Sequence, residues 1–172
     1  MSQPRTLELV ARDAEATLEL GARLATSLTL PLAAPFVITL SGELGTGKTT
    51  LVRGFLGALG IAGPVRSPTY TLLEEYAAGT LHVAHLDLYR VRSGREVEEL
   101  GVRELLDADR VLLIEWPERG AGALPAADLL VDFEIETTGR RIRLQARTGV
   151  ARALLDALRS HSGMLQVDPL SS

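Results

Sequence analysis

Gly42, Gly47, Lys48 and Thr49 complete the pattern G-x-x-x-x-G-K-[ST] within "GELGTGKT", the spacing of a phosphate-binding P-loop. Each residue type answers a demand of polyphosphate chemistry. Glycines let the backbone curl around the anion, while successive amide N–H groups and the positive end of the following helix meet its charge. Lys48 is expected to reach the β- and γ-phosphates of a nucleotide, and the Thr49 hydroxyl to coordinate a magnesium ion that bridges two phosphate oxygens.

Such a cradle needs a carboxylate for its metal, supplied from the end of a buried strand. Asp87 in "HLDLYR" and Glu115 at the close of "VLLIE" are the candidates, and the competing reading of each is a strand-terminal acid facing solvent. Glu115 is the stronger of them. It follows an aliphatic run and precedes Trp116-Pro117, so the backbone leaves the core there, where ligands gather in α/β sheets. Ser67-Pro68-Thr69 lies between the P-loop helix and the next strand, where γ-phosphate-sensing loops lie in other P-loop proteins. Ser67 or Thr69 could sense the phosphate; an ordinary turn fixed by Pro68 carries equal weight.

Arg66, Arg90 and Arg92 could each supply charge to a transition state, with a surface role favoured for any single one. His82 and His85 stand three apart in an alternating strand, face opposite sides and cannot share a metal. His85 is expected to be a hydrogen-bonded residue of the core or just behind the site. Trp116, the only tryptophan, is expected in the core with its indole N–H seeking an acceptor.

The elements that must position these residues are legible from periodicity. An amphipathic helix is expected from Ala14 to Leu28, with Asp13 as its N-cap, and a buried strand from Phe36 to Ser41. The P-loop follows, then a helix from Thr49 to Leu59 with Leu51, Phe55 and Leu59 on one stripe. "TYTLLEEY" and "LHVAHLDLYR" read as a hairpin, Glu96 to Leu106 as a helix with Arg95, Glu99 and Arg103 on an exposed face, and "RVLLIEW" as a strand stopped by Pro117. "LLVDFEIET" and "RRIRLQAR" form a second hairpin, and a helix from Val150 to Leu158 closes the fold. The expected class is α/β: a P-loop NTPase-like three-layer sandwich whose mostly parallel central sheet carries antiparallel hairpin strands. One domain over residues 1–160 is expected, with 161–172 as a flexible tail.

Composition excludes several functions. A formal charge of −4 disfavours tight, direct RNA binding, although a local basic patch is compatible with it. The absence of cysteine removes disulfides, thiolate nucleophiles and cysteine-bound zinc. The start has no basic patch followed by a long apolar core, and no apolar run approaches bilayer length, so neither a signal peptide nor a membrane span is expected and the cytoplasm is the expected location.

Taken together and in this order, "GELGTGKTT", "VRSPTYTL", "HLDLYR", "LGVRELL" and "LIEWPER" resemble the bacterial TsaE family, the P-loop ATPase of tRNA threonylcarbamoyladenosine biosynthesis. The resemblance runs from about Leu18 to about Arg147, and its later motifs are far more specific than the P-loop. It implies a small Mg-dependent ATPase that does not itself transfer the threonylcarbamoyl group and hydrolyses ATP while docked on the partners TsaD and TsaB; with no obvious arginine finger in cis, slow turnover of the chain alone is expected, and the net negative charge makes indirect contact with tRNA the expectation. It further implies that Gly42, Glu43, Leu44, Gly45, Thr46, Gly47, Lys48, Thr49 and Thr50 hold the phosphates, that Thr49 and Glu115 hold magnesium with Asp87 completing the shell, that Thr69 lies in the switch loop, and that residues around Arg12 to Ala14 lie near adenine. Glu43 and Thr46 depart from the family's commoner Asp and Ala without altering the cradle. A small-molecule or nucleotide kinase is the chief rival, but no arginine-rich lid follows the second candidate motif. A pure binding module is the third reading, against which the two candidate carboxylates stand.

Overall fold

The computed structural model describes residues 5–61, 63–65 and 67–160. Arg66 and the expected tail at 161–172 lie outside the described residues.

The chain runs β1 (Arg5–Ala11), α1 (Ala14–Ser27), β2 (Phe36–Ser41), α2 (Lys48–Ala58), β3 (Leu73–Ala78), β4 (Leu81–Asp87), α3 (Gly94–Glu99), β5 (Arg110–Glu115), β6 (Leu129–Glu136), β7 (Gly139–Ala146) and α4 (Gly149–Ser160). All seven strands join one sheet in the order β1-β7-β6-β2-β5-β4-β3. Its centre, β6-β2-β5-β4, is parallel, and the β6–β7 and β3–β4 hairpins add antiparallel strands on either side, with β1 antiparallel to β7.

Strands buried on both faces need apolar side chains on both, and β2 and β5 supply them in alternation. Phe36, Ile38, Leu40, Val111 and Leu113 pack beneath α1, α2 and α4, whereas Val37, Leu112 and Ile114 face Val97 of α3 and Val102 and Leu105 of the short 3₁₀ turn after it. Two cores on opposite sides of one sheet make the expected three layers.

Helix α1 begins where the sequence indicates, with the Asp13 carboxylate accepting from the Ala16 amide at 2.8 Å. It crosses α2 at backbone contact distance. A Cβ on Gly54 would sit 2.0 Å from the Leu18 carbonyl oxygen, and one on Gly21 2.0 Å from that of Leu51. This crossing sets the start of α1 beside the P-loop.

Four elements differ from expectation. Strand β1 was not read from the sequence, although Leu7, Leu9 and Ala11 alternate into the core; seven residues with a single sheet neighbour leave a weak signal. The helix expected from Glu96 to Leu106 breaks at Gly101, whose φ of 71° is left-handed, into α3 and the 3₁₀ turn. Arg95 pairs with Glu99 as expected, but Arg103 turns to Glu98 instead. Strand β3 starts at Leu73 rather than Thr69, because the preceding residues form a turn in which the Leu72 amide donates to the Pro68 carbonyl. Strand β5 stops at Glu115, one residue before Trp116.

Candidate functional site

The site is assembled at the carboxyl ends of the parallel strands. From β2 the chain turns through residues 42–47 and enters α2 with Gly47 as N-cap, at φ 110°, a conformation that side chains rarely adopt. Lys48 is 4% exposed. Its Nζ donates to the carbonyl oxygens of Gly42 (2.6 Å) and Glu43 (2.7 Å) and stands 4.1 Å from the centre of the Trp116 ring. Burial pushes the Lys48 ammonium below the usual lysine range, while the neighbouring Glu115, Glu118 and Asp87 oppose that shift.

Asp87 and Glu115 are register partners at the ends of β4 and β5, and both are buried. The Thr49 hydroxyl donates to Glu115 at 2.9 Å to Oε1 and 3.1 Å to Oε2. Behind it, His85 is fully buried with Nε2 2.8 Å from Glu115 Oε1, so that nitrogen carries the hydrogen. His85 Nδ1 has no partner among the described residues. Asp87 accepts from the Ser67 hydroxyl and, at 3.0 Å, from the Tyr89 amide. The Thr69 hydroxyl in turn lies 3.3 Å from Ser67 Oγ, so the loop ahead of β3 is tied to the carboxylate.

These groups face a cleft of about 310 Å³, at the small end of ligand-binding pockets. Of the residues singled out in the sequence, Leu44, Gly45, Gly47, Lys48, Thr49, Thr50, Thr69, Asp87 and Glu115 line it. Gly42 and Glu43 serve instead through their carbonyls, and Thr46 is buried with its hydroxyl on the Glu43 carbonyl. Ala14 and Thr17 of α1 also line the cleft.

Four lining residues were not among those the sequence marks for the site: Thr17, Tyr89, Trp116 and Arg140. Trp116 packs against the core on the α3 side as expected, and its φ of 58° also sets the ring over Lys48 and 4.9 Å from the Tyr89 ring. No residue pattern announces that backbone conformation. Arg90 is stacked over the exposed Tyr70, and the Arg92 amide donates to Glu96, placements that fit the surface role favoured for both.

Among the described residues no group of three or more His, Asp or Glu side chains could hold a metal by itself. The donors that do converge, Thr49 Oγ1 with the Asp87 and Glu115 carboxyl groups, are all oxygen, which suits a hard cation such as magnesium bound mainly through water and substrate phosphates.

A parallel sheet whose central strand runs through a glycine-rich loop into a helix, with acidic side chains from neighbouring strand ends beside it, is the arrangement of a P-loop NTPase-like protein. Comparison with known proteins narrows the class. The family model described as "Threonylcarbamoyl adenosine biosynthesis protein TsaE" matches residues 11–143, and the chain belongs to the TsaE family. It is 44% identical over 121 residues to the tRNA threonylcarbamoyladenosine biosynthesis protein TsaE of Haemophilus influenzae, covering 70% of this chain and 77% of that one. It is 40% identical over 123 residues to the Nostoc protein of the same name, covering 69% and 73%. Among solved structures, the crystal structure of Bacillus subtilis YdiB superposes with a TM-score of 0.72 at 28% identity, covering 94% of this chain and 99% of that one.

Proposed function

We propose that this chain binds ATP and magnesium in the cleft and hydrolyses the nucleotide in support of threonylcarbamoyladenosine formation in tRNA, together with TsaD and TsaB. The observation that carries the reading is the pairing of Asp87 with Glu115 beside Lys48 and Thr49, a constellation suited to a metal-bound triphosphate. Lys48 would exchange the loop carbonyls for phosphate oxygens. Thr49, Asp87 and Glu115 would hold the metal, whose charge would offset that of the phosphates. His85 fixes the Glu115 side chain, and Ser67 and Thr69 couple the loop ahead of β3 to Asp87. The formal charge of −4 supports contact with tRNA through partner proteins rather than directly.

The test is the ATPase rate of the purified chain alone and after adding TsaD and TsaB, with tRNA present and absent. Slow turnover alone, rising with the partners, is expected; a charge-donating group supplied by a partner gives about 10³- to 10⁵-fold in other P-loop systems. Brisk turnover that needs a small acceptor and yields its phosphorylated form would overturn the reading in favour of a kinase.

A further inference from the structure

Arg140 is the cation that the nucleotide reading leaves without a task. It is the second residue of β7, lines the cleft, and has its Nε buried with no hydrogen-bond partner among the described residues. Its neighbours along the strand are occupied: Arg141 pairs with Glu136 and Arg143 with Glu8. A buried guanidinium nitrogen without an acceptor is costly, and it calls for one that the protein chain does not itself supply.

The β6–β7 hairpin explains how the side chain arrives there. Gly139 has a φ of 140°, and a Cβ on it would fall 2.4 Å from the Ala11 carbonyl oxygen and 2.8 Å from the Arg12 Cα. Only a glycine lets the hairpin close onto the turn between β1 and α1. Register then sets Arg140 opposite Ala11, and its stem runs along the P-loop: a Cβ on Gly47 would lie 3.6 Å from Arg140 Cδ, 3.7 Å from its Nε and 3.3 Å from Thr17 Cγ2.

Sheet order decides which part of a ligand this cation meets. Strand β7 lies three places from β5 across β6 and β2, about 14 Å at ordinary strand spacing. Glu115 and Asp87 therefore mark one end of the cleft, while Arg140 with Ala14 and Thr17 marks the other. The β- and γ-phosphates belong with the metal-binding end, which leaves the α-phosphate within reach of the Gly47 flank. We infer that the Arg140 guanidinium binds the α-phosphate of the nucleotide, as a planar fork for which phosphate oxygens are the matching acceptor. This inference rests on the nucleotide reading above.

Equilibrium binding of ADP, pyrophosphate and adenosine to the full chain tests it, the last two by competition against a fluorescent ADP, in wild type, Arg140→Ala and Arg140→Lys. Arg140→Ala is expected to weaken ADP by about tenfold or more, Arg140→Lys by less, and both to leave pyrophosphate and adenosine unchanged. Undiminished ADP affinity in Arg140→Ala overturns the inference alone. Equal losses for ADP and pyrophosphate overturn it too, because the cradle rather than one contact is then damaged, and a matching loss for adenosine moves the contact to base or ribose. Failure of the wild type to bind ADP removes the nucleotide reading and this inference together. If Arg140→Ala does not fold, Arg140→Gln, which keeps the stem against Gly47, takes its place with the same outcomes.

Discussion

Glu115 is held from two directions, by the Thr49 hydroxyl in front and the His85 imidazole behind, and both partners are fixed by secondary structure. A carboxyl group restrained in this way is suited to metal and water positioning rather than to nucleotide affinity, which P-loops draw mostly from loop amides and their lysine. Glu115→Ala is therefore expected to lower turnover by a factor of about 10² or more while changing ATP affinity little, and Lys48→Ala to weaken nucleotide binding itself. Steady-state rates beside direct titrations separate these effects, and equal turnover in wild type and Glu115→Ala would remove that residue from the mechanism. At this scale the sequence was informative where chemistry dictates residue type and spacing, as with Lys48, Thr49 and Glu115. It was silent where placement depends on a backbone angle or on distant pairing. Trp116 reaches Lys48 through one left-handed residue, and Arg140 reaches Gly47 because β7 lies beside β6 and β1, which no local pattern encodes.

The α1–α2 crossing carries the site's geometry at the level of elements. Backbone meets backbone at Gly21 and Gly54, so an added methyl group has no flexible neighbour to displace. Gly54→Ala is expected to destabilise the protein by about 1–3 kcal/mol or more, and to loosen ADP binding because α1 carries Ala14 and Thr17 to the cleft. Urea unfolding with and without ADP checks this; an unchanged midpoint would mean that the helices can part without cost. The buried strands β2 and β5 and both hairpins were legible because continuous apolar runs, alternation and glycine turns are strong signals. The break at Gly101 was not, because one glycine inside a helical pattern reads equally as an interruption or as a tolerated residue.

Across the whole molecule the sheet acts as a ruler. Its parallel centre brings Asp87 and Glu115 together at one end of the cleft, its β6–β7 hairpin delivers Arg140 to the other, and the P-loop spans the middle. Helices cover both faces, and no helix among the described residues is long and apolar enough to cross a membrane. The proposed function requires that ruler to measure out a metal-bound triphosphate. The most direct measurement is a crystal structure with a non-hydrolysable ATP analogue and Mn²⁺, the metal being located by its anomalous signal. One peak bonded to the Thr49 hydroxyl, with Glu115 and Asp87 bound to it directly or through a single water, is the predicted result. A peak far from both acids, or nucleotide bound away from residues 42–50, would contradict the account.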